Sequence, residues 1–204
     1  MNTPQRQVRA VHDADTITVY QAYPPAIADA AVRAGRFVPP FKRERMTWVK
    51  PSFCWMMYRC GWATKPGQER VLAVHMLRTG FEQALGMASL SHFDRKLHDD
   101  AVAWAAQKAA SPVRVQWDPE RTPTGVALEH RSLQVGIGGV AVAAYVDEWV
   151  VGLEDITDQV RAWRAELSDG VVPALPDETP YPLPASVGAR IGVDAVAPSL
   201  LTSK

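Results

Sequence analysis

The stretch Arg45–Trp62, RMTWVKPSFCWMMYRCGW, decides how the rest of this chain is read. It sets Trp48, Trp55 and Trp62 seven residues apart, with Arg45, Lys50 and Arg59 among them. It also holds both cysteines and three of the six methionines. Cations set between large aromatics suit a binding surface, because guanidinium and ammonium groups hold anions while flat rings stack on a base or sugar. Met46–Val49 reads as a short strand. Pro51 suits the first position of a helix, where its missing N–H costs nothing, and Gly61 suits the left-handed residue that closes the last turn. A helix over 51–60 sets Ser52, Trp55 and Arg59 on one face, with Phe53, Met56, Met57 and Cys60 on another. Lys50 and Ser52 then stand at a strand-to-helix junction, whose free N–H groups and dipole favour an anion. The competing reading makes Trp48, Trp55, Met56 and Met57 plain core. The clustering of polar residues on one side of the junction favours a ligand site.

Charge segregation points the same way. The chain of 204 residues has a net charge of zero. From Arg36 to Arg70, however, eight basic residues face only Glu44 and Glu69. From Asp147 to Lys204, ten acids face four bases. The central block is therefore a candidate anion-binding face, while overall neutrality argues against a dedicated duplex-DNA binder. A small phosphorylated ligand fits better. No apolar run is long enough to span a membrane, and MNTPQRQVRAVHD lacks the apolar core of a signal peptide. Cys54 and Cys60 are poorly spaced for a disulfide or a zinc site. A cytoplasmic protein with reduced thiols and no membrane partner is expected.

Outward from this stretch, TITVYQAY (Thr16–Tyr23) reads as a strand, with Ile17, Val19, Gln21 and Tyr23 on one face and Thr18, Tyr20 and Ala22 on the other. Gln21 among apolar neighbours must find hydrogen-bond partners. Val8–His12 reads as a short strand before it. Pro25 starts a helix that Gly35 ends, and the basic RFVPPFKRER loop beyond it either covers a ligand or merely connects. Val71–Leu77 reads as a buried strand, Phe81–Met87 as a short helix, and Leu97–Ala110 as an alanine-rich helix. Val113–Trp117 reads as a strand closed by an Asp-Pro turn that carries Asp118 and Glu120. His130–Ile137 reads as another strand, with Ser132, Gln134 and Gly136 on one face. Gly139–Trp149 looks helical, VVGLEDI forms a strand, and Thr157 opens the last helix. His92, His98, Asp94 and Asp99 lack a tight ligand spacing, so no metal is expected.

The expected fold is α+β: one domain over residues 1–167, with a mixed, mainly antiparallel sheet of about six strands flanked by helices. A proline-rich extension, 168–204, follows, read as an extended or partly disordered tail packing over the domain.

VYQAY (Val19–Tyr23), RMTWVKPSF and WMMYR (Arg45–Arg59), VQWDPER (Val115–Arg121) and RSLQVGI (Arg131–Ile137) together resemble an uncharacterised domain-of-unknown-function family of bacteria and fungi. The resemblance runs over roughly Arg6–Glu166 and carries no activity. A more distant likeness is to the split-sheet fold of ADP-ribosyltransferases, in strand order, in the tyrosine-bearing second strand and in the polar late strand. It implies NAD as a substrate rather than a permanently bound cofactor. Under it, Arg9 and Lys50 hold a pyrophosphate with Arg45 in support, and Thr47 and Ser52 bond a ribose or phosphate oxygen. Tyr20 or Trp48 stacks on the nicotinamide, and Gln134 orients the reacting ribose. That family's signature ends in a catalytic glutamate, whereas RSLQVGI contains none. Departure of nicotinamide leaves positive charge on the sugar, so the chemistry wants a carboxylate, for which Asp118 and Glu120 are the candidates. Two other classes stand beside this one. One is a non-catalytic module in which Trp48, Trp55 and Trp62 stack on single-stranded nucleic acid. The other is a structural or regulatory protein whose aromatic stretch is core.

Overall fold

Strand β2 (Thr16–Tyr23) forms over the β-branched and aromatic run expected of it and pairs antiparallel with β4 (Arg70–Leu77) from Thr16↔Leu77 to Tyr23↔Arg70. The computed structural model describes residues 3–194. Strand β8 (Val150–Asp155) pairs with the far side of β4 and completes a sheet of order β2-β4-β8. A second sheet has the order β3-β7-β6-β5, built from β3 (Thr47–Val49), β7 (Ala127–Ile137), β6 (Val113–Arg121) and β5 (Ala88–Leu90). All its pairs are antiparallel except β5 with β6. The chain is thus α+β with mixed, mostly antiparallel sheets.

The two sheets touch at one backbone bridge. Tyr20 N–H donates to Lys50 O at 2.7 Å, and Lys50 N–H returns to Tyr20 O at 3.2 Å. Beyond that bridge β2 and β3 stop pairing, and a cleft opens between them.

Each face of β2 buries into a different core, as strand alternation requires. Ile17 and Val19 join the main cluster, with Val74, Phe81, Val135 and Tyr145. Tyr20 belongs to a second cluster under α2 (Phe53–Cys60) and α6 (Thr157–Ser168), with Met56, Met57 and Val160. Helix α1 (Pro25–Ala34) starts at the expected proline and ends at Gly35, whose φ of 67° is the left-handed cap. Helix α2 ends at Gly61 in the same way, with φ 59°. It begins at Phe53 rather than Pro51, because Ser52 caps it: the Ser52 Oγ accepts Trp55 N–H at 3.1 Å.

Several boundaries differ from expectation for local reasons. The first strand, β1, is only Arg9–Ala10, since it pairs with the two-residue β9 (Thr179–Pro180). Helix α3 (Arg78–Gly86) starts directly at the end of β4. Helix α4 (Ala101–Ala110) waits for its cap, the Asp100 carboxylate, which accepts Ala103 N–H at 2.7 Å. Strand β6 does not turn at Asp118-Pro119; pairing with β7 carries it on to Arg121 through a bulge. Helix α5 (Ala141–Ala144) runs into a π-helical turn, Tyr145–Trp149. The proline-rich segment after α6 enters the main core through Tyr181 and Ile191. Helix α7 (Ala185–Ile191) ends where Trp117 Nε1 donates to Ile191 O at 2.8 Å. No helix among the described residues is long and apolar enough to cross a membrane.

Gly80 in α3 shows how tightly the main core is filled. A Cβ there would stand 2.4 Å from Cγ of the buried Trp149 ring. Gly80→Ala therefore destabilises by about 2 kcal/mol despite alanine's better helix propensity, because overpacking outweighs it. Urea unfolding measures the loss, and an unchanged midpoint would refute the tight packing.

Candidate functional site

The cleft has a volume of about 440 Å³, within the range of small-molecule sites. One wall is the end of β2, with Gln21 and Tyr23, and the other is the start of β3, with Thr47 and Trp48. The basic loop after α1 closes over it through Phe41, Lys42 and Arg45, so this loop lines the cleft.

A buried hydrogen-bond network fixes the two walls relative to each other. Gln21 Nε2 donates to Thr47 Oγ1 at 2.6 Å and reaches Trp48 O at 3.3 Å. The Tyr145 hydroxyl donates to Gln21 Oε1 at 2.7 Å. The Tyr23 hydroxyl shares a 2.8 Å bond with Thr47 Oγ1. Burial pushes the phenols of Tyr23 and Tyr145 upward, so both stay protonated. The Trp48 ring lies against the strand at Gly136, where a Cβ would come within 2.9 Å of its Cζ2. Glycine at that register position is what lets the ring lie close to the sheet.

Lys50 sits at the inner end of the cleft and is only 6 % exposed. Its Nζ has one long bond, 3.4 Å, to Trp48 O, and no carboxylate pairs with it among the described residues. Burial drives its ammonium down to about 8, with the Arg59 guanidinium acting in the same direction and Cys60 and Asp118 opposing. At the mouth, Lys42 and Arg45 are exposed and form no salt bridge among the described residues. The acidic C-terminal half reaches the basic block at Arg43, through Asp147, and at Arg70, through Asp155, and neither cation lines the cleft.

The structure divides the ten residues singled out in the sequence. Arg45, Thr47, Trp48 and Lys50 come together around the cleft. Ser52 does not line it; its hydroxyl is spent as the cap of α2. Arg9 does not line it either, since its Nη2 donates to Glu178 O at 2.8 Å and its Nη1 reaches Gln7 Oε1. Gln134 is held on β7, where its Nε2 donates to Asp118 Oδ2 at 2.7 Å while Gln116 Nε2 takes Asp118 Oδ1 at 2.8 Å. Tyr20 and Glu120 do not line the cleft; Tyr20 is buried in the cluster under α2 and Glu120 is on the bulged end of β6. Asp118 is thus bracketed by two amides rather than free in a turn.

Glu178 escaped the sequence reading because it lies in a proline-rich segment with no periodicity. Its Oε1 accepts Phe53 N–H at 2.5 Å. Burial pushes its carboxyl up to about 8; the Phe53 N–H pulls back, and Glu120 adds repulsion. Lys42 was legible only as part of the basic RFVPPFKRER loop, and Gln68, which also lines the cleft, carried no signal.

Fold and site together define an α+β domain whose two sheets part over a basic, aromatic cleft. The chain belongs to the family described as domain of unknown function (DUF4291), whose model matches residues 7–181. No curated protein matches it.

Proposed function

We propose that the cleft binds a nucleotide of the NAD class. One observation carries this reading: Lys50 is a buried cation with no counter-ion among the described residues, at the inner end of a cleft that Trp48 also lines. A buried charge is costly unless paired, and a ligand phosphate would supply the missing partner. Lys42 and Arg45 would meet further phosphate oxygens at the mouth, and Trp48 offers a ring for stacking. Thr47 Oγ1 already bonds Gln21 and Tyr23, so it orients the wall and has little left for a ribose. NAD enters as a substrate or effector rather than a resident group.

The single-strand reading is less favoured. Trp55 is 5 % exposed and stacked on Tyr58, and Trp62 packs against Phe53, so the three tryptophans do not present a row of open faces. A thermal-shift titration with NAD, ADP-ribose, ATP and a short oligonucleotide tests the choice, because a ligand of the folded state raises its melting temperature. NAD or ADP-ribose is expected to stabilise, and Arg45→Ala to weaken that binding about tenfold, the loss of one charge-assisted contact. Stabilisation by the oligonucleotide alone would replace the proposal with the single-strand reading.

A further inference from the structure

Lys42, Arg45 and Lys50 line the cleft, and none of the described residues that line it is an Asp or a Glu. The acids nearest in the chain are turned elsewhere. Glu44 is exposed and does not line the cleft. Glu69 follows the lining residue Gln68, but its Oε1 turns back to accept Gly67 N–H at 2.8 Å. The other oxygen, Oε2, is buried without a partner, which makes Glu69 the acid to exclude by experiment. Asp29 and Asp155 pair with Arg70, and Asp147 pairs with Arg43, two cations outside the lining. The positive charge of the cleft therefore stands uncompensated among the described residues.

The neutral oxygens of the two walls are engaged as well. Gln21 Oε1 accepts the Tyr145 hydroxyl, and Thr47 Oγ1 is bonded to both Gln21 and Tyr23. Trp48 O faces Gln21 Nε2 and Lys50 Nζ. Magnesium takes oxygen ligands, and nucleotide sites hold it with carboxylates together with the substrate's phosphates. Among the described residues, no group of three or more His, Cys, Asp and Glu side chains could hold a metal ion. A divalent ion carried into the cleft on a phosphate chain would meet like charge and no lining carboxylate.

We infer that the cleft takes its phosphates bare and so selects pyrophosphate diesters, such as NAD and ADP-ribose, over magnesium nucleoside triphosphates. Lys42, Arg45 and Lys50 stand where a nucleotide site otherwise employs a divalent ion. This rests on the nucleotide reading above and narrows it. A pyrophosphate diester carries a single negative charge on each phosphate and has no terminal phosphate with which to chelate magnesium. It reaches the cleft uncomplexed, and the cations meet its oxygens directly. ATP chelates the ion through its phosphate chain and must shed it before the same side chains can reach those oxygens. That step costs affinity, and the diester avoids it.

The test titrates the full chain with NAD, ADP-ribose and ATP, each in excess EDTA and again in excess magnesium chloride. Every thermal shift is taken against ligand-free protein in the same buffer. Apparent affinities for NAD and ADP-ribose are expected to agree within about twofold between the two buffers. The affinity for ATP is expected to fall about tenfold or more when magnesium is present, the loss of one charge-assisted contact. Glu69→Gln keeps an oxygen for the Gly67 N–H and should leave all three responses unchanged. Magnesium that strengthens binding of any of the three, or ATP with magnesium bound as tightly as NAD, overturns the inference and leaves the nucleotide reading standing. If that strengthening disappears in Glu69→Gln, the ion belongs to Glu69. Absence of stabilisation by NAD and ADP-ribose in both buffers overturns the nucleotide reading and this inference with it.

Discussion

Lys50→Met is expected to raise the melting temperature at pH 7 while abolishing stabilisation by NAD. Lys50 is 6 % exposed, has one long carbonyl contact and titrates near 8. An ordinary lysine titrates near 10.4, so between about pH 8 and 10.4 the unfolded chain binds a proton the folded chain has released. Wild-type stability therefore gains from Lys50 as pH rises through that window, and below about pH 8 the folded protein carries the full burden of a buried charge. Each pKa unit is about 1.4 kcal/mol, so removing the amine should stabilise by about 3 kcal/mol at pH 7, or several degrees for a chain of this size. The advantage should shrink toward pH 10. A residue whose removal helps the fold and harms binding is one kept for function. Thermal melts of both proteins from pH 6 to 10, with and without NAD, give the answer. A destabilised Lys50→Met at pH 7 would show that the ammonium is well paired after all.

Gln21→Leu should cost about 3 kcal/mol, because it leaves buried hydroxyls without their partner. Gln21 receives the Tyr145 hydroxyl and donates to Thr47 Oγ1, linking the π-helical turn, β2 and β3 in one network. A leucine fills much the same volume but accepts and donates nothing. Tyr145→Phe made on the Gln21→Leu background removes one of the orphaned hydroxyls, so the double variant should lose less than the two single losses added together. Denaturant unfolding of the four proteins measures that coupling. Simple additivity would show that the network contributes no more than its packing.

Local signals were legible wherever one residue type decides a local geometry. β-Branched density gave β2, Pro25 and Gly35 bracketed α1, and Gly61 ended α2, because left-handed closure and a missing N–H are properties of the residue itself. The basic, aromatic character of 45–62 and the need of Gln21 for partners were equally open to reading. The start of α2 was misread by two residues because proline and serine both suit a helix start, and only the Ser52–Trp55 bond settles which one acts. The Asp-Pro step in β6 reads as a turn because Asp and Pro favour turns locally, and only pairing with β7, which sets Asp118 opposite Ser132, keeps the strand extended.

What the sequence by itself determined is the inventory: the α+β class, most of the elements, a block of cations among aromatics, and family membership through long motifs. The tertiary structure alone decided which of those groups meet. It brought Tyr145 to Gln21, kept Arg9 and Ser52 out of the cleft, and set Glu178 from the proline-rich segment at the N-terminus of α2. It also decided that Lys50 is buried with no counter-ion among the described residues. Backbone geometry is set by short-range sterics, which a few neighbouring residues specify. Desolvation and charge pairing depend on everything packed around a group, and most of that arrives from distant parts of the chain.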